Sequence, residues 1–192
     1  MPPKVKITKE DIIQTALSLV RESGASALNA RGIASALGCS TQPVFSNFAT
    51  MEELQEAVIV AAYEHYFAFL KAEVESGKYP PYKAFGCGYI RFAAEERELF
   101  RLLFMRDRGG EPLSPTPDFE ASVEMIMASN GISREAAGML HLEMWACTHG
   151  IATMIATSFF RPEDALISEM LSDVYQGIRH RHIAKEGDNE RH

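Results

Sequence analysis

The sequence is poor in cysteine and tryptophan, with 3 Cys and 1 Trp among 192 residues. Cys39, Cys87 and Cys147 are odd in number, widely spaced and free of any Cys-x-x-Cys or Cys-x-x-His pattern. That excludes a disulfide framework and a zinc finger, and it fits a reducing cytoplasm, the expected location. Long apolar runs are missing too. The longest apolar stretch lies around Val58–Tyr63, and Glu64 and His65 interrupt it, so no membrane span and no membrane partner are expected. The opening residues Met1–Lys6 carry charge but lead into no apolar signal core. Basic charge is in deficit: 19 Lys and Arg face 26 Asp and Glu, a formal net charge of −7. A uniformly basic nucleic-acid binder is excluded, whereas a local basic surface is not. There is no Gly-x-Ser-x-Gly elbow, no phosphate-cradling GxxxxGK[ST] loop and no Cys or Ser with a His at a positioning distance. Neither an enzyme nor a cofactor is expected.

What is present is helix after helix. Stretches of alternating polar and apolar residues and clusters of β-branched residues are scarce, and the hydrophobic content of 46% suffices for a core. Thr8-Lys9-Glu10-Asp11 has the form of a capping box before an apolar run that Gly24 ends. Asn29 can cap a short helix ending at Gly38, and Ser40 is placed to cap another, with Pro43 in its first turn. Thr50 opens a long helix to about Glu75, and Lys78-Tyr79-Pro80-Pro81 breaks the chain. Helices are then predicted over 82–96, 98–106, 118–130 and 133–160, with a Gly/Pro-rich loop at Arg108–Pro117. The last helix is predicted to start at Pro162, and a disordered polar tail covers 186–192. The expected fold is all-α, with about nine helices. Its domains are a helix-turn-helix DNA-binding domain at 1–50 and a ligand-binding and dimerisation domain at 51–185.

The short helices Asn29–Leu37 and Ser40–Phe48, joined by Gly38-Cys39-Ser40, have the spacing of a helix-turn-helix. The second presents Ser40, Thr41, Gln42, Pro43, Ser46 and Asn47, hydrogen-bonding or compact side chains suited to base edges and phosphates. On spacing alone, a capped corner of an ordinary helical domain fits as well.

The stretch Thr8–Leu54 resembles the DNA-binding domain of the TetR family of one-component transcriptional regulators. The resemblance rests on Ala16 and Leu19, on Asn29-Ala30-Arg31-Gly32-Ile33-Ala34-Ser35-Ala36-Leu37-Gly38-Cys39-Ser40, and on Val44-Phe45-Ser46-Asn47-Phe48-Ala49-Thr50-Met51-Glu52-Glu53-Leu54. Further on, Trp145-Ala146-Cys147-Thr148-His149-Gly150 is similar to a Trp-His-Gly signature in the ligand-binding domain of one branch. The resemblance implies a regulator, a repressor by default, that binds operator double-stranded DNA as a homodimer. Arg31, Ser40, Thr41, Gln42, Pro43, Phe45, Ser46 and Asn47 would meet the DNA, and Lys4, Lys6 and Lys9 would hold phosphates. An effector would favour a conformer unable to reach adjacent major grooves, with the fourth helix transmitting the change. The family often has Tyr where Phe45 stands, with its hydroxyl on a phosphate, and Lys where Met51 stands. Residues 1–54 carry as many basic as acidic side chains, so the whole net charge falls beyond them.

Aromatic and Met side chains at helical spacing supply the core, and some can line a small-molecule site. Tyr66, Phe67, Tyr89, Met125, His141, Met144, Trp145 and Thr148 are the candidates, and they suit a small hydrophobic effector. His141 and His149 lie eight residues apart without a third ligand at short range, so no metal site is expected. Small and apolar residues within Ser133–Arg181 suit half of a two-fold symmetric bundle, placing the homodimer on the last two long helices. The rival reading is an all-α small-molecule-binding protein or enzyme without DNA, which the neutral head and acidic remainder favour.

Overall fold

The structure, a computed structural model, describes residues 7–107 and 119–189. The predicted Gly/Pro-rich loop lies outside them, as do Lys4, Lys6 and residues 190–192. The described residues form nine α-helices and no strand: α1 (Lys9–Ser23), α2 (Ala30–Ala36), α3 (Gln42–Asn47), α4 (Met51–Glu75), α5 (Pro81–Glu95), α6 (Arg97–Phe104), α7 (Phe119–Asn130), α8 (Arg134–Ala156) and α9 (Asp164–Asn189). A 3-10 turn at Ala25–Ala27 joins α1 to α2.

Local chemistry sets most helix starts. The Thr8 hydroxyl accepts from the Asp11 amide at 3.1 Å, and the Asp11 carboxylate accepts from the Thr8 amide at 2.8 Å. This reciprocal pair satisfies donors that the first turn would otherwise leave open. Asn29 caps α2 by accepting from the Gly32 amide at 2.9 Å, and Ser133 caps α8 by accepting from Ala136. At α4, Thr50 accepts from the Glu53 amide, while the Glu53 carboxylate accepts from the Ala49 amide. The start of α3 differs from the expectation. Thr41, not Ser40, is its cap residue; Thr41 is already in helical backbone conformation and makes no side-chain cap bond. The Gly38 turn, with φ 64°, carries the chain directly into it.

The helices pack as two units. The first contains the described residues up to Phe69 together with Glu95–Arg106, and the second contains Leu70–Ala94, Asp107 and 119–189. In the first, Ile12, Ala16 and Val20 of α1 meet a core that includes Ile33, Val44, Phe48, Leu54, Val58, Ala62, Leu99, Phe100 and Leu103. Burying each large side chain contributes about 1.5–3 kcal/mol. Residues 54, 58, 62 and 66 of α4 recur every helical turn on the buried side, which is why much of α4 joins this unit. Contacts across the chain secure α6. The Arg21 guanidinium grips the Glu96 carboxylate with two of its nitrogens, Nη2 and Nε, the latter at 2.8 Å, and His65 Nε2 lies 3.2 Å from the same carboxylate. Gly24, at φ 80°, passes so close that a Cβ there would lie 2.9 Å from a Glu98 carboxylate oxygen.

The second unit packs α5, α7, α8 and α9 around Ile90, Phe92, Val123, Ile126, Leu140, Met144, Ile151 and Ile155. Polar ties hold α9: Glu143 pairs with Arg181 and His182, Lys83 donates to Ser172 at 2.8 Å, and Asn130 donates to the Tyr175 hydroxyl at 2.9 Å. Helix α8 stops at Ala156 rather than near 160, because the amides of Phe159 and Phe160 both turn back to the Met154 carbonyl and Ser158 takes φ 60°. Helix α9 starts at Asp164, not Pro162, with the Ile167 amide bonding to the Glu163 carbonyl. It continues to Asn189, into the segment expected to be a disordered tail, and no proline after Pro162 interrupts it.

Candidate functional site

In the first unit, α2 and α3 flank a left-handed turn at Gly38 and lie against α1. Val44 and Phe48 turn inward and are fully buried. That orientation leaves Gln42, Phe45 and Ser46 on the outward face, all exposed, with Phe45 at 53%. Ser40 is also exposed, whereas Thr41, Pro43 and Asn47 are half-buried. The Ser46 hydroxyl donates to the Gln42 carbonyl at 2.9 Å, and the Asn47 amide donates to the Pro43 carbonyl at 2.8 Å. The outward face of α3 thus combines neutral polar groups and one ring, without a formal charge. Arg31 on α2 is exposed. Lys9 lies 3.1 Å from the Glu53 carboxylate and 4.6 Å from the centre of the Phe48 ring, so a neighbouring acid partly neutralises it. Hydrogen bonds from the Ala49 amide first, and then from Lys9, hold the Glu53 carboxyl below the usual range.

The residues chosen for ligand binding fall in both units. Tyr66 is buried and Phe67 half-buried in the first, where Tyr66 meets Phe104 edge-on at 5.2 Å. In the second, Tyr89, Met144 and Thr148 are buried, and Met125 and His141 are half-buried. Two tyrosine–histidine pairs join α5 to α8. The Tyr82 hydroxyl lies 3.1 Å from His141 Nδ1, and the Tyr89 hydroxyl lies 2.8 Å from His149 Nδ1. Burial, and then Tyr175, raise the Tyr82 phenol above its ordinary range, while burial lowers the His141 imidazole. Both partners of the first pair are therefore neutral at pH 7 and share one hydrogen. Trp145 stacks on His149 with ring centres 5.1 Å apart and planes within 6°, and it is 40% exposed. Tyr82 and His149 lie outside the set of ligand residues that the sequence suggests. Each pair spans about sixty residues of chain, a separation that local patterning does not register.

A small open cleft in the second unit has different walls: Glu73, Lys78, Tyr79, Cys87, Arg91, Asp164 and Ile167. Arg91 pairs with Glu73, and Lys78 lies 3.5 Å from Asp164, so charge within it is largely matched. Burial pushes the Cys87 thiol up. Among the described residues, no three His, Cys, Asp or Glu side chains are grouped to hold a metal, and no helix is long and apolar enough to cross a membrane.

A head of short helices about a glycine turn, followed by a larger all-helical unit, is the arrangement of a helix-turn-helix regulator. Residues 82–174 match the family described as "Tetracyclin repressor-like, C-terminal domain". Over those residues the chain carries a TetR-type C-terminal domain, and the match supports a TetR family transcriptional regulator. Among solved structures, it is similar to a Rhodococcus sp. RHA1 protein described as of unknown function. That match has a TM-score of 0.70 and 21% identity, and it covers 92% of this chain and 97% of the other. A TetR family member from Streptomyces coelicolor A3 matches with a TM-score of 0.58 and 17% identity over 86% and 96% of the two chains. A single-residue variant of TetR from Acinetobacter baumannii AYE, in complex with minocycline, matches with a TM-score of 0.61 and 18% identity over 92% and 99%. At these identities the likeness establishes the fold. No curated protein sequence matches the chain.

Proposed function

We propose that the protein is a cytoplasmic repressor that binds operator DNA as a homodimer and is released by a small hydrophobic effector. It acts by binding rather than by catalysis. The observation that carries this reading is the exposed outward face of α3, projected from a helix-turn-helix head that precedes a TetR-type C-terminal domain. In this reading residues 1–50 are the DNA-contacting part and the rest is regulatory. Ser40, Thr41, Gln42, Pro43, Phe45, Ser46 and Asn47 enter the major groove, and Arg31 holds phosphate.

Tyr89, His141, Met144, Trp145 and Thr148 supply rings, an adaptable thioether and a few polar tips. These suit an apolar or aromatic molecule better than a phosphate or a carboxylate. Tyr66, Phe67 and Met125 are further candidates. A TetR relative that binds minocycline supports an effector of this kind. Exposed apolar residues on α8, Met139, Leu142 and Trp145, together with Leu166 and Ile183 on α9, support a dimer on these helices.

The test follows operator release and the fluorescence of Trp145, the sole Trp, during titration with hydrophobic compounds. Both signals are expected to change over one concentration range, and Tyr89→Ala or Met144→Ala is expected to shift it. A highly charged metabolite as the tightest binder would refute the effector class. Failure to shift any genomic fragment at low salt would refute DNA binding.

A further inference from the structure

We propose that Phe45 sets operator specificity by packing its ring on the C5-methyl group of a thymine in the major groove. The inference rests on the DNA-binding reading above and names the chemistry of the base it selects.

Three observations lead to it. First, the core does not need this ring. Val44 and Phe48, on either side in sequence, are each 1% exposed, whereas Phe45 is 53% exposed. Second, the surface around the ring is formally neutral. Gln42, Phe45 and Ser46 are all exposed and follow helical spacing along α3, so no arginine or lysine of that face stands ready to bind guanine there. Third, the hydrogen-bonding capacity nearby is partly engaged. Ser46 gives its hydroxyl hydrogen to the Gln42 carbonyl, and Asn47 gives an amide hydrogen to the Pro43 carbonyl.

A phenyl ring cannot hydrogen-bond to a base edge, and it lacks the hydroxyl that would tie it to a phosphate. The apolar feature that base edges show in the major groove is the thymine methyl. Gln42, one turn earlier on the same face, can pair with an adenine edge, so the two side chains together favour an A·T-containing half-site.

The experiment selects binding sites for the full-length protein from a random duplex pool. Each thymine of the selected half-site is then replaced singly by deoxyuridine, which removes the methyl and keeps the base pair. One such replacement is expected to weaken wild-type binding about fourfold, the order expected for a single buried methyl group. Phe45→Ala is expected to bind more weakly and to discriminate less than about twofold between thymine and uracil at that position. Because Phe45 is exposed, thermal melting should confirm that this variant folds as the wild type does. Phe45→Leu, which keeps apolar contact, should retain part of the discrimination. Selected sites indifferent to every uracil, or discrimination that survives in Phe45→Ala, would overturn the proposal while leaving DNA binding intact. If no sequence is enriched, the DNA-binding reading fails and this proposal fails with it.

Discussion

Ser158, at φ 60°, is the one non-glycine residue among those described with a positive φ. A left-handed L-residue is strained by about 1–2 kcal/mol, and a glycine would relieve that. Glycine also adds unfolded-chain entropy worth about 0.5–1 kcal/mol. Ser158→Gly should therefore raise stability by at most about 1.5 kcal/mol, which calorimetry would register as a melting point higher by up to about 3–6 °C at this size. Gly88 predicts the opposite sign. A Cβ there would lie 3.0 Å from Leu70 Cδ2 and from Glu73 Cγ. Gly88→Ala should cost about 1–3 kcal/mol through overpacking, offset by about 1 kcal/mol of helix propensity, a net loss measurable as a lower denaturation midpoint. Gly88 was partly legible, since Gly86-Cys87-Gly88 inside a helical stretch reads as close helix packing, but which helix it meets, α4, was not. Ser158 was placed inside a helix, since no local residue announces that the Phe159 and Phe160 amides bond back to Met154.

Helix starts were more legible than helix partners. Thr8, Asn29, Thr50 and Ser133 declare themselves because a cap is completed within three or four residues. Glu96 does not. It accepts from Arg21, 75 residues away, and meets His65, 31 residues away, so α1, α4 and α6 join at one carboxylate. Burial raises its pKa, but the hydrogen bonds from Arg21 and His65 outweigh burial and leave it below the ordinary carboxylate range. A double-mutant cycle on Arg21→Ala and Glu96→Gln should give a coupling of about 1 kcal/mol, discounted for the half-exposed arginine. It should shrink as salt rises. A coupling of zero in low salt would show that the apolar contacts of α6 suffice.

At the scale of the molecule, acid should loosen the second unit before it affects most carboxylates. Burial lowers His141 below its ordinary value of 6.5, so the unfolded chain takes up this proton first. Its contribution is fully present above pH 6.5 and is lost as pH falls from there through the lowered folded value. Thermal melts from pH 7.5 to 5 should show a fall that His141→Gln flattens. Assembly gives a second test. A Cβ at Gly150 or Gly177 would meet nothing within 4 Å in this chain. Gly150→Leu should leave protomer folding near wild type, yet convert dimer to monomer by light scattering if α8 faces a partner. The all-α architecture was legible from periodicity. The division of packing was not, because α6 joins the first unit through contacts with residues of α1 far away in sequence. On the proposed DNA-binding role, the uncharged face of α3 and the Glu53-paired Lys9 would also bear on how the protein finds its target. Sliding along non-specific duplex depends on phosphate neutralisation and counterion release. If the head binds DNA as proposed, the uncharged outward face of α3 implies a short stay on random duplex and a search by repeated three-dimensional encounters.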